Sequence, residues 1–228
     1  MIANKKEFYG GVGMLAVFIV VLITIFMPVF NGQNGLNYLD DLYNSISKAS
    51  AYYIPKVKEE SDKFSGNSVS VILTMASKKQ AQQTAKLFRT SGAEAIVKEA
   101  NLKVTGDLGK ILASSLADAD ALYENKGEKV SGKYGYDEKR ALFNWWKAFK
   151  AMDKELKKQK KFKEAKAVEL VVKKAVESSY NYYRIEPQKI GDRWGVVLFS
   201  LIFYVIYTLL YGFAIMFMFE GWGLRLEH

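Results

Sequence analysis

In an uncharged stretch near the end of the chain, Ser200, Tyr204, Tyr207 and Tyr211 follow one another at intervals of four, three and four residues. On an α-helix that spacing gathers four hydroxyls within about 60° of arc. Thr208 flanks the stripe and Gly212 leaves room beside it. Tyrosine usually marks a membrane–water interface, yet residues 204–211 surround the midpoint of the apolar run. A phenol hydroxyl facing hydrocarbon at that depth would lack a partner, and such a group is costly to bury. The stripe must therefore face protein, a bound molecule or water. Three arrangements satisfy it. It can pack on the other apolar run of the same chain, where Thr24 is the one polar side chain. It can hold copies of the chain, or a different membrane subunit, through interhelical hydrogen bonds. It can line a pore or a site for a hydrophobic ligand such as a quinone.

Other chemistry is scarce. The chain has no cysteine, and its one histidine is His228, in an Arg225-Leu-Glu-His228 ending that reads as an expression-tag remnant. The commonest transition-metal ligands and the commonest general base are thereby missing. Gly10-Gly-Val-Gly13 and Gly132-Lys-Tyr-Gly135 lack the preceding strand and following Lys-Ser/Thr helix of a phosphate loop. The acid pairs Asp40-Asp41, Glu59-Glu60 and Asp118/Asp120 lack the ligand density of a calcium or magnesium loop and read as solvated surface. Asp40 and Asp41, about ten residues beyond the first apolar run, would form an acidic, cation-attracting vestibule in a ring of subunits. No catalytic residue, metal site or cofactor is expected, and the chain does not read as an enzyme.

These side chains depend on two apolar runs, residues 12–30 and 194–219. At about 1.5 Å per residue each can cross a hydrocarbon layer about 30 Å thick. A mean hydropathy of -0.07 conceals them by averaging two apolar ends with a polar middle. The first run exceeds a signal-peptide core and no Ala-x-Ala-like site follows it, so it reads as a retained anchor. The organisation expected is a short tail (1–11), a first membrane helix (12–30), a soluble domain (31–193), a second membrane helix (194–219) and a short tail (220–228). Lys5 and Lys6 precede the first run, whereas Asp40 and Asp41 come before the first following base, Lys48. By the positive-inside rule both tails are cytoplasmic and the domain lies outside a bacterial inner membrane. Arg184, Lys189 and Arg193 before the second run, with Arg225 after it, pull the other way. The first run decides, because long loops translocate largely regardless of charge. Trp194 and Trp222 bracket the second run as interface anchors. The first, with Phe18, Ile19, Leu22 and Phe26, reads as the lipid-facing member of the pair.

Within the domain, Leu36, Leu39, Leu42, Tyr43 and Ile46 mark an amphipathic helix over 36–53, stopped near Pro55. Over 67–136, strands are expected at 68–75, 95–97, 102–104 and 129–136, and helices from Ser77 to Thr90 and from Asp107 to Leu122. The β-α-β-β-α-β order is the split βαβ pattern of ferredoxin-like domains, so the fold class expected is α+β with extra helices, either in that topology or as a plainer domain of two or three strands. Residues 137–183 are helical and basic. Their two apolar faces differ in phase, which implies two helices or a sharp kink at 157–162. Residues 147–174 carry eleven lysines, no arginine and four acids. Dispersed lysines without arginine argue against nucleic acid and leave lipid headgroups or solvent as neighbours. The function expected is interaction, as an oligomeric or accessory subunit of a membrane complex in contact with the lipid bilayer. A homo-oligomeric channel or transporter subunit, its pore lined by the second membrane helix, is the alternative.

Overall fold

Asn4 opens the first helix: its Oδ1 accepts from the backbone N–H of Lys6 at 3.1 Å and of Glu7 at 3.4 Å. The structure, a computed structural model, describes residues 2–224, so Arg225 and the tag-like ending lie outside the described residues. Helix α1 spans Lys5–Phe26, starting well before the uncharged run, and stops ahead of Pro28, which holds Met27 in an extended conformation. Helices α2 (Gly35–Ser50) and α3 (Ile54–Asp62) follow. Pro55 marks no simple stop: it lies in the first turn of α3, where its missing N–H is not needed.

Strand β1 (Ser68–Thr74), helix α4 (Lys78–Thr90), strands β2 (Glu94–Lys98) and β3 (Asn101–Asp107) and helix α5 (Leu108–Tyr123) come next. Ser77 Oγ accepts from Gln80 N, and Asp107 Oδ1 from Lys110 N, so both expected caps are in place. Helices α6 (Glu128–Tyr134), α7 (Glu138–Lys158) and α8 (Phe162–Val171) lead into a π-helical turn, Val172–Val176. Helices α9 (Glu177–Tyr182) and α10 (Ile190–Trp222) complete the described chain. The fold is mixed α+β, mostly helical, with one small sheet and two helices, α1 and α10, long and apolar enough to cross a membrane.

The chain divides into two compact units. One contains residues 50–186. Its antiparallel sheet has the order β1-β3-β2, and Val69, Val71 and Leu73 of β1 alternate inward beside Leu102 and Val104 of β3. Three of the four expected strands are present, and the ferredoxin-like topology is not completed. The fourth, expected at 129–136, is instead helix α6. Val130 and Tyr134 are buried while Gly132 between them is exposed, whereas a strand would turn all three to one face. Gly135, at φ +72°, then ends the helix in the left-handed region open to glycine. The free edge of β1 is partly closed by side chains: Gln159 Nε2 donates to Ser70 O at 2.9 Å and Lys161 Nζ to Ser68 O at 3.4 Å. Both come from the break between α7 and α8. There Lys160 takes φ +59° and Lys161 N donates to Leu156 O, the closing bond of a Schellman turn, where the change of phase required an interruption.

The core of this unit is organised around Asp118. Expected on the solvated surface, it is 2 % exposed. Its Oδ2 accepts from Tyr134 Oη at 2.5 Å and Trp145 Nε1 at 2.8 Å, and its Oδ1 from Lys133 Nζ at 2.9 Å. Ile111, Ser115, Asp118 and Leu122, all buried, recur at four, three and four residues, so the carboxylate lies on the inward face of α5. Trp145 is in turn packed against Phe88 and Phe149. Its neighbour Asp120 remains outside, accepting from Tyr52 Oη at 2.7 Å.

Replacing Asp118 by alanine leaves the Tyr134 hydroxyl and the Trp145 N–H without their acceptor. At about 1–3 kcal/mol for each of the two unsatisfied groups, the expected loss is roughly 2–6 kcal/mol. Urea denaturation followed by circular dichroism measures it; an unchanged midpoint would show that the carboxylate does not organise the core.

Alkali tests the same core. Burial, followed by the Asp118 charge, raises the Tyr134 pKa, and burial pushes Tyr123 and Tyr136 up to about 12 each. Unfolded tyrosine ionises near pH 10, so the stabilisation is complete below about pH 10 and is lost as pH climbs towards 12. Tyrosinate absorbance should show these phenols ionising late, together with a fall in the unfolding midpoint across that window.

Candidate functional site

The second unit, formed by the described residues of 1–49 and 187–228, contains the hydroxyl stripe. Helices α1 and α10 pair antiparallel, and Asn4 N donates to Gly221 O at 2.9 Å at one end. The less exposed positions of α10 include Ser200, Phe203, Tyr207, Leu210, Ala214, Phe217 and Gly221. Those of α1 include Gly11, Met14, Phe18, Val21 and Ile25. Both series alternate three and four residues, the seven-residue repeat of helices that stay in register along a shared seam. Small residues bring the backbones together. A Cβ on Gly11 would stand 2.7 Å from Ala214 O, and one on Gly221 would collide with the Phe8 backbone.

The stripe divides along this seam. Tyr207 stacks on Phe18 with ring centroids 4.4 Å apart and planes 15° from parallel, and its hydroxyl donates to Phe18 O at 3.4 Å. Phe18, expected to face lipid, is instead covered by Tyr207 and Tyr211. The polar partner missing from the side chains of α1 is supplied by its backbone. Ser200 Oγ lies 2.7 Å from Tyr43 Oη of α2 and donates to Val197 O at 2.8 Å, so Tyr43 is the donor in a relay of hydroxyl to hydroxyl to carbonyl. Tyr43 and Phe18 were absent from the sequence reading of the stripe. The apolar spacing of α2 and the Gly11, Phe18, Ile25 repeat on α1 are the signals that mark them.

The rest of the stripe turns outward. Thr208 Oγ1 donates to Tyr204 O of its own helix at 2.8 Å. Tyr204 is 67 % exposed and Tyr211 47 %, and among the described residues neither hydroxyl has a hydrogen-bond partner. Gly212 has open space beside it. Trp194 and Trp222 are exposed, 28 residues apart, or about 42 Å along a helix. That distance matches a bilayer including its headgroups, about 40–45 Å thick. Asp40 and Asp41, both exposed on α2, accept from Asn44 Nδ2 at 3.0 Å and Gln33 Nε2 at 2.9 Å. As consecutive helical residues they diverge by about 100° and do not converge on one ion.

The chain matches no protein-family model, no curated protein and no solved structure. The geometry of its own side chains carries the functional reading.

Gly11→Val should loosen the helix pair and lower its thermal midpoint in mild detergent, because the added carbons meet Ala214 O and Met218. Gly13→Val, two residues away with nothing within 4 Å of its Cβ position, should leave the midpoint unchanged. Equal behaviour of the two variants would dismiss the small-residue seam.

Proposed function

We propose that this chain is a two-pass inner-membrane protein that acts by interaction, as an oligomeric or accessory subunit of a membrane complex. Helices α1 and α10 serve as its anchors, the residues before α1 and after α10 lie in the cytoplasm, and the unit of residues 50–186 is extracytoplasmic. The observation that carries this reading is the outward pair Tyr204 and Tyr211, two unpartnered phenols near the middle of α10. Ser200 and Tyr207, of the same stripe, are satisfied within the chain, by Tyr43 and by the Phe18 carbonyl. In hydrocarbon the remaining two need a polar partner from another helix. Tyr204, Thr208 and Tyr211 repeat at four and three residues, which suits a second seam with a copy of this chain or a different membrane subunit. The orientation rests on Lys5 and Lys6 before α1 against Asp40 and Asp41 after it. In a closed ring those two acids would line an acidic vestibule outside the membrane.

A chain without cysteine permits single-cysteine scanning in native membranes. Oxidation should cross-link Tyr204→Cys and Tyr211→Cys into disulfide dimers while Ile206→Cys on the opposite face stays monomeric, and a photoreactive benzophenone attached to the same cysteines should capture a different partner subunit. A monomeric particle mass, no co-purified subunit and no preference between the two faces would together overturn the proposal. Ion conductance in a reconstituted bilayer that changes on Tyr204→Phe would replace it with a pore lined by α10.

A further inference from the structure

Between α3 and the α8–π turn segment lies a recess of about 510 Å³, within the range typical of small-molecule sites. Phe64, Ala167 and Leu170 form its apolar floor, and lysines stand along its rim. The two acids of the recess are already committed: Glu60 holds Lys63 at 2.7 Å and Glu169 holds Lys173 at 2.6 Å. Lys174 lies over the Tyr53 ring, 4.7 Å from its centroid. Lys163 and Lys166 have no ion pair among the described residues. Three residues apart on one face of α8, they can converge on a single anion. The π turn adds an irregularity of a kind that clusters at functional positions, and it carries Lys173 and Lys174.

A second recess, about 350 Å³ between Phe143, Trp146, Tyr180 and Glu177, differs in that its charged and aromatic groups are already paired within the chain. Glu177 accepts from Trp146 Nε1 at 2.7 Å and pairs with Lys150 at 3.7 Å, while Lys139 and Lys147 cover the rings. Of these two recesses, the lysine-rimmed one combines an open apolar floor with lysines that have no ion pair among the described residues.

We propose that the groove between α3 and α8 binds an anionic amphiphile, an acyl-type chain laid on Phe64 and Leu170 with a carboxylate or phosphate head held by Lys163 and Lys166. The ammonium groups supply charge-assisted hydrogen bonds to the head, and the floor removes the chain from water. Lysines act here as point charges and tolerate either head, whereas a bidentate arginine fork would demand a planar oxyanion geometry. The inference stands apart from the oligomeric reading, since none of these residues belongs to the stripe on α10.

The test uses the full chain in phosphatidylcholine nanodiscs and the fluorescent probe dansylaminoundecanoic acid. The probe should bind saturably above empty nanodiscs, and dodecyl phosphate should displace it at far lower concentration than inorganic phosphate. The double variant Lys163→Glu/Lys166→Glu should weaken the probe by roughly tenfold or more, a charge-assisted contact's worth. Lys147→Glu/Lys150→Glu, at the second recess, should leave it unchanged. Leu170→Glu, which places a charge on the floor and leaves both lysines, should also weaken binding; circular dichroism checks that each variant is folded. With phosphatidylglycerol in the nanodisc, reduced probe binding identifies the bilayer as the source of the amphiphile, and unchanged binding identifies a free one. Absence of saturable binding, a double variant equal to the parent, or inorganic phosphate competing as well as dodecyl phosphate would overturn the inference.

Discussion

A polar group withdrawn from water must find a partner, and both units of this chain are arranged around that requirement. In the unit of residues 50–186 it is expressed in Asp118, whose oxygens collect a phenol, an indole and an ammonium from α6 and α7. The short helix α6 makes little sense without it. Seven residues bury little surface, but they deliver Lys133 and Tyr134 together to one carboxylate. The edge of β1 obeys the same requirement through Gln159 and Lys161. Among the described residues two buried side-chain oxygens, Asp153 Oδ1 and Ser179 Oγ, are exceptions.

The helix pair answers the requirement under different conditions. With α1 and α10 as the proposed membrane anchors, apolar side chains would gain nothing by leaving lipid for each other, so close packing and internal hydrogen bonds would hold the pair. Gly11, Ala214 and Gly221 allow the approach. That approach brings the Phe18 carbonyl within reach of Tyr207, and the ring stacking fixes the phenol in place. One seven-residue repeat therefore sets both the packing and the polar contacts.

What could be read in the sequence was local. Ser77 and Asp107 announced their helices because a cap acts within three residues, and the strands of β1, β2 and β3 were marked by short apolar patches. The break between α7 and α8 was legible because two long apolar faces were out of phase. Helix α6 was not, since it offers only Val130 and Tyr134 to the core, too few to distinguish a period of 3.6 from one of 2. Asp118 was misjudged because residue type outweighed position: a carboxylate is usually exposed, yet its spacing from Ile111, Ser115 and Leu122 puts it on the buried face. Phe18 was misplaced because an all-apolar helix carries no contrast from which to tell its faces apart.

The tyrosine stripe shows most clearly why position along a helix is not enough. Four hydroxyls within about 60° of arc look like one surface, and a sequence treats them as one. A neighbouring helix covers a face whose edge can fall inside such an arc, and here it does. Tyr207 lies towards the centre of the covered face and Tyr204 beyond its edge, a difference of about 60°. Tyr211, between them, touches Phe18 with its ring yet leaves its hydroxyl free. The same four residues thus serve two purposes, closing the hairpin on one side and exposing polar groups on the other. If α1 alone were the stripe's partner, the outward positions would be as freely aliphatic as Ile202 and Ile206 on the far side. Their phenols are the feature on which the proposed second helix rests.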